Sequence, residues 1–154
     1  MSESWQEGIK ALLSHSKISF LATQGKHGPE TSMAPFAICE GYVLLHLSKL
    51  AAHTTNIENS ASIGLMICTP EARGNSPLAL PRLSLQGEVR LVTDEEFETA
   101  KLTYLKALPD AEQLFAFTDF SLFQFKPESI HWVGGFGKAR KVTLGQWHNI
   151  TLAL

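Results

Sequence analysis

The chain has 154 residues, 44% of them hydrophobic and 18% charged, with a formal net charge of −2. That balance is far from a disordered composition, suffices for one domain over 1–154 with its own core, and supplies no Lys/Arg-rich arm to hold nucleic acid. Apolar runs such as Ile63–Cys68 are too short to span a bilayer, and the opening MSESWQEGIK lacks the apolar core of a secretory signal, so the expected location is cytoplasmic.

Trp5, Ile9, Leu12 and Leu13 recur at helical spacing and predict a first helix over roughly Glu3–Ser16. Ile18–Thr23 reads as a buried strand and Gln24–Glu30, with two glycines and a proline, as a turn. In a second strand, Thr31–Cys39, Pro35 cannot donate to a ladder and marks an edge or a bulge. Glu40-Gly41 turns the chain into Tyr42–Leu47, followed by a short helix over Leu50–Asn59, a strand over Ala61–Cys68 and an exposed loop over Thr69–Leu80. Arg82–Val92 alternates as a long strand. Thr93-x-x-Glu96 is a capping-box pattern; the helix behind it places Phe97, Lys101, Tyr104, Leu105 and Leu108 on one side until Pro109 stops it. Asp110–Phe117 predicts a further helical turn and Phe120–Phe125 an aromatic strand. Ser129–Val133 is another strand after Pro127, and Lys138–Leu144 the last, before a short C-terminal tail.

These elements give a mainly β, α+β chain: an N-terminal helix at about 3–16 and a core at about 18–144. Short links between strands favour antiparallel pairing, and the absence of βαβ alternation favours a small barrel with peripheral helices.

Chemistry concentrates at three places. Ser48-Lys49-Leu50-Ala51-Ala52-His53-Thr54-Thr55 lies where a strand hands over to a helix. Free amides there, hydroxyls from Ser48, Thr54 and Thr55, and charge from Lys49 and His53 suit a phosphate or carboxylate. The same residues also read as an N-cap, Ser48, followed by two surface side chains. Arg82 begins a strand after the long loop and can pair with a ligand or with a local carboxylate. Trp132-Val133-Gly134-Gly135-Phe136-Gly137-Lys138-Ala139-Arg140 offers a stacking face, glycines for close approach and a donor fork, or a glycine-rich hairpin packed by Phe136. The spacing is not a dinucleotide fingerprint. His15 and His27 read as solvated and His46 as a satisfied core residue, leaving His53, His131 and His148 for chemistry. Cys39 and Cys68, in apolar runs, read as buried free thiols, and no metal ligand set is present by spacing.

In order along the chain, SMAPFAI (Ser32–Ile38), LSKLAAHTTNI (Leu47–Ile57), PRLSLQGEV (Pro81–Val89) and DFSLFQFKPESIHWVGGFGKA (Asp119–Ala139) carry a family likeness. The chain resembles the pyridoxamine 5'-phosphate oxidase-like flavin-binding split barrels, most closely the branch that includes the haem-utilisation proteins. The resemblance covers about Ile18–Val142 and implies a split β-barrel in a homodimer, with FMN at the subunit interface and oxidoreductase chemistry on an unknown substrate. Carried over, Ser48, Lys49, His53 and Thr54 become phosphate ligands, with His53 where the oxidases use a Lys. Ser32, Met33, Ala34 and Pro35 line the cofactor along their strand, Arg82 approaches the flavin ring, and Trp132 and Arg140 contact it. The vitamin substrate set is reduced to Lys138-Ala139-Arg140-Lys141, so no vitamin substrate is assigned. The haem-binding sisters imply the alternative of haem, with an iron ligand from a C-terminal His; His148 in GQWHNITLAL is the one available there, with His53 as the second candidate, and Asp119-Phe120 matches a DF step in those sisters. A cofactor-free dimeric binding domain is the third reading.

Overall fold

The computed structural model describes residues 4–154. Its elements are α1 (Trp5–His15), β1 (Ile18–Gly25), β2 (Gly28–Pro35), β3 (Ala37–Cys39), β4 (Tyr42–Ser48), α2 (Ala52–Asn59), β5 (Ser62–Cys68), β6 (Arg82–Leu91), α3 (Asp94–Ala107), β7 (Phe120–Val133), β8 (Ala139–Val142) and α4 (Leu144–Leu152). Two 3₁₀ segments, Pro77–Ala79 and Pro109–Ala116, complete them. Glu3, the expected first residue of α1, lies outside the described residues.

All strands join one antiparallel sheet in the order β2-β1-β5-β6-β7-β4-β3, with β8 also on β7. The two ends of that order, β2 and β3, are separated in sequence by Phe36 alone. Neighbouring Cα atoms are about 3.8 Å apart, so a flat sheet of this order cannot form; it must curl until its ends meet. The antiparallel split barrel expected from the sequence is therefore what the topology enforces. One edge of β7 carries β6 along its length. The other carries β4 over Phe120–Phe125 and β8 over Ile130–Val133, which leaves a gap between them.

The inward residues of the strands, among them Leu21, Leu45, Leu65, Leu85 and Phe125, fill the barrel, and α1 and α4 add Ile9, Leu12, Trp147 and Ile150 to the same core. Ser4 caps α1, its hydroxyl accepting from the Glu7 amide at 3.2 Å. Thr93 and Glu96 form the expected capping box on α3, whose apolar side rests on the outside of β3 and β4.

Several expectations are corrected. The strand expected over Thr31–Cys39 is broken at Phe36 into β2 and β3. The two strands placed on either side of Pro127 are a single β7. The register against β6 shifts between Gln86 and Gly87 there, and Gly87 makes room for the Lys126 carbonyl, which a Cβ would overlap. The short tail is α4, with a second capping box between Thr143 and Gln146. β1 is buried on one face only; Ile18 and Phe20 stand exposed on the other. Cys39 and Cys68 are free but half-buried.

His46 is buried, yet it is not satisfied: its Nδ1 has no partner among the described residues. The ring stacks face to face on Phe115 at 3.9 Å and 11°, with Phe120 and Tyr104 around it. Burial pushes its pKa down from 6.5 to about 4, and the Lys101 ammonium above Phe115 adds positive charge nearby. The unfolded chain therefore takes up this proton first as pH falls. Stability contributed by neutral His46 is complete above about pH 6.5 and is lost progressively down to about pH 4, by up to roughly 3 kcal/mol. His46→Phe retains a ring and removes the titration, so urea unfolding at pH 7.5 and pH 4.5 should show its stability falling less than that of the wild type.

Candidate functional site

The strand-to-helix corner forms where β4 ends. The Ser48 hydroxyl donates to Asp119 Oδ2 at 2.8 Å and accepts the Leu50 amide at 3.1 Å. The Lys49 amide donates to the Asp119 carbonyl at 2.7 Å. Thr54, only 1% exposed, donates its hydroxyl proton to the Ser48 carbonyl at 2.6 Å. Ser48 does not cap α2; the residue at that position is Ala51, which has no side chain to do so. The hydroxyl protons of Ser48 and Thr54 are thus engaged within the chain, Thr55 is exposed on α2, and a carboxylate stands at the corner.

α2 closes this end of the barrel by polar contacts to the inward side of β1 and β2. Asn56 donates to Thr23 at 3.0 Å and to the Glu30 carboxylate at 2.7 Å. One turn earlier, His53 Nδ1 lies 2.8 Å from Ser32 Oγ. Burial lowers the His53 pKa from its ordinary 6.5, so the ring is mainly neutral at physiological pH. Of the two cations expected at the corner, Lys49 is exposed, while burial holds His53 toward its neutral form.

Trp132 and Arg140 lie elsewhere. Ser48 pairs with Phe120 at the start of β7, whereas Trp132 and its partner Arg140 are near its end. At about 3.3 Å per residue the intervening strand is roughly 40 Å in contour. Trp132 is buried beneath Gly8 and Gly134. The Arg140 guanidinium lies over the Trp5 ring at 3.9 Å, beside a cleft of about 420 Å³. The spacing of Trp5 on α1 gave no signal for this stack.

Arg82, on the strand next to Trp132, turns to its own loop: Nη1 donates to the Leu80 carbonyl at 2.9 Å and to that of Leu78 at 3.4 Å. On β2, Ala34 is buried while Met33 and Pro35 face outward, away from Ser32 and His53. Met33, Phe20 and Met66 form a cross-strand row over β2, β1 and β5, with Met33 52% and Phe20 49% exposed. A groove of about 620 Å³ runs alongside, over Ala22 and Gly64. His148 is on α4, exposed and beside the Gly41 turn. The next residue inward, Trp147, donates its indole N–H to the Gly41 carbonyl at 2.8 Å.

The sequence profile described as "CREG, beta-barrel" matches residues 12–149. The chain belongs to the CREG β-barrel family. This agrees with the split-barrel likeness of the sequence and is not specific to the flavin-binding oxidases. Among similar proteins is "Heme oxygenase HutZ" of Vibrio cholerae serotype O1 (strain ATCC 39315 / El Tor Inaba N16961), 30% identical over 143 residues, 88% of this chain and 79% of that protein. A solved "heme binding protein from Mycobacterium smegmatis" superposes with a TM-score of 0.85 at 25% identity, over 97% of this chain and 62% of that one. The present chain thus spans less than two thirds of that protein. Campylobacter jejuni ChuZ shares the fold, with a TM-score of 0.81 at 21% identity, over 92% of this chain and 60% of its own. No helix among the described residues is long and apolar enough to cross a membrane.

The Ser48–Asp119 contact locks the 3₁₀ segment's exit onto the end of β4. A half-buried hydrogen bond to a charged group contributes about 1.5–3 kcal/mol. Ser48→Ala, Asp119→Ala and the double variant, compared by urea denaturation, should show the two single losses failing to add, with a coupling of at least ~1 kcal/mol.

Proposed function

We propose that this CREG-family chain binds haem rather than FMN. The observation that carries this reading is the state of the strand-to-helix corner. A phosphate dianion needs several unengaged donors and no nearby anion. Here Ser48 and Thr54 donate inward, the Asp119 carboxylate accepts from Ser48, and His53 is mainly neutral. A tetrapyrrole asks for different things: apolar surface, a cation for its carboxylates and a neutral imidazole. Leu50, 88% exposed, and Phe117, 53% exposed, supply apolar surface near the corner, with Lys49 as the cation. The haem-related names of the relatives in Vibrio cholerae and Mycobacterium smegmatis point the same way. When bound, haem would supply an iron centre for one-electron or oxygen chemistry.

Titration with hemin should give a saturable Soret band, while titration with FMN should leave flavin fluorescence unquenched. Quenching of FMN with no hemin band would reverse the assignment to the oxidoreductase reading. Binding of neither would favour the cofactor-free domain.

The proposal includes a homodimer with the cofactor at its subunit interface. Two features support it: the exposed Met33–Phe20–Met66 row, and the separation of the corner from Trp132 and Arg140, which a second copy could bridge. Paired Phe20→Glu and Met66→Glu changes should convert a dimer in sedimentation velocity into a folded monomer. A wild type that sediments as a monomer at all concentrations would remove this part of the proposal.

A further inference from the structure

We propose that the cleft between α1 and the β7–β8 turn is a binding site for a small aromatic carboxylate, held by the Arg140 guanidinium and the indole N–H of Trp132. No residue of the strand-to-helix corner lines this cleft, and the inference does not depend on the haem reading.

The cleft encloses about 420 Å³, with Trp5 and Gly8 of α1 on one side and Trp132, Gly134, Lys138 and Arg140 on the other. That volume is within the usual range for a small-molecule pocket. Trp132 and Arg140 are register partners on β7 and β8, so their side chains share one face of the sheet. Two glycines let the surrounding backbone approach the indole. A Cβ on Gly8 would stand 2.9 Å from the Trp132 ring, and one on Gly134 would stand 3.0 Å from its Nε1. No side chain is interposed at either place, and the indole edge is part of the cleft wall.

Trp132 is only 3% exposed, yet its Nε1 donates to no acceptor among the described residues. The nitrogen is not sealed off either; the enclosed side-chain atom without a partner is His46 Nδ1. The other core indole, Trp147, donates to the Gly41 carbonyl at 2.8 Å. A buried indole N–H ordinarily has such a partner. Trp132 therefore holds a donor in reserve for a group that enters the cleft.

The charge at the site has one sign. The Arg140 guanidinium stacks over the Trp5 ring at 3.9 Å. Stacking occupies its face and leaves its N–H groups in plane, as a fork for a carboxylate. Lys138 adds a second cation, and no Asp or Glu lines the cleft. The ion pairs among the described residues are Lys10–Glu7 and Arg90–Glu96, so neither cation is neutralised in one. A second hollow of about 280 Å³ shares Gly8, Trp132 and Gly134 with the first and is walled by Leu12, Pro70 and Pro81. The cationic end thus adjoins an apolar one. A carboxylate satisfies the fork and the indole N–H, and a flat apolar body matches the aromatic and proline surfaces beside them.

The test titrates 2-naphthoate into the full-length protein, read by calorimetry and by the indole N–H resonances in nitrogen–proton correlation spectra. The Trp132 resonance is the one missing from Trp132→Phe. It should shift saturably on titration, while that of Trp147 stays in place. Arg140→Gln should weaken binding at least about tenfold, and Trp132→Phe, which retains a ring without the donor, by about threefold or more. Arg140→Lys retains the charge but not the fork, so its affinity should fall between those of the wild type and Arg140→Gln. Lys141→Gln, on the opposite face of β8, should bind as the wild type does. A Trp132 resonance that does not move, or an Arg140→Gln variant that binds like the wild type, overturns the proposal. Equal affinity for the uncharged 2-naphthalenemethanol reduces the site to an apolar cleft and overturns it. Displacement of naphthoate by an equal concentration of inorganic phosphate overturns the aromatic carboxylate in favour of a general anion site.

Discussion

One covalent constraint organises this molecule. β2 and β3 occupy opposite ends of the sheet order, yet a single residue, Phe36, joins them. The sheet can meet that demand only by closing, and closure determines which side of each strand is core. It also makes openings that must be stopped. At one of them α2 seats its Asn56 and His53 on the inward polar groups of β1 and β2. The candidate site is therefore a by-product of how the barrel is sealed: the residues that close the mouth are the ones presented to a ligand.

The corner shows why an inventory of donors does not by itself define an anion site. Serine and threonine hydroxyls have one proton each, and Ser48 and Thr54 direct theirs to a carboxylate and a carbonyl of the same chain. What remains exposed there is a lysine, the Thr55 hydroxyl and apolar side chains, with the His53 imidazole half-buried. The chemistry that this set can serve differs from the chemistry that its composition suggests.

Local signals in the sequence carried much of the fold. The spacing of Trp5, Ile9, Leu12 and Leu13 and the Thr93–Glu96 capping box correspond to what forms, whereas the strand drawn through Pro35 is two, β2 ending there and β3 beginning at Ala37. Thr143 and Gln146 bear the same capping signature, but a final strand drawn through Thr143 concealed it. Pro127 split β7 in the reading because its compensating partner, Gly87, is far away in sequence. The site was legible in place but not in connection. Asp119 is 71 residues from the Ser48 hydroxyl it accepts from, and Ser32 is 21 residues from His53. No periodicity reports which way a hydroxyl turns or whether a histidine is dry enough to stay neutral. Ile18 and Phe20 illustrate a related limit: a strand apolar on both faces does not disclose whether its outer face is covered by its own chain.

The gap along β7 between the footprints of β4 and β8 has a consequence for behaviour in crowded solution. An unpaired stretch of strand invites a neighbour's backbone to dock on it, and chains that leave one open risk runaway intermolecular pairing. Here that stretch holds Pro127, which has no amide hydrogen to offer, between the exposed charges of Lys126 and Glu128, with a local kink that spoils straight alignment. The gap in the wall is thus also chemically blunted against pairing with another chain's strand.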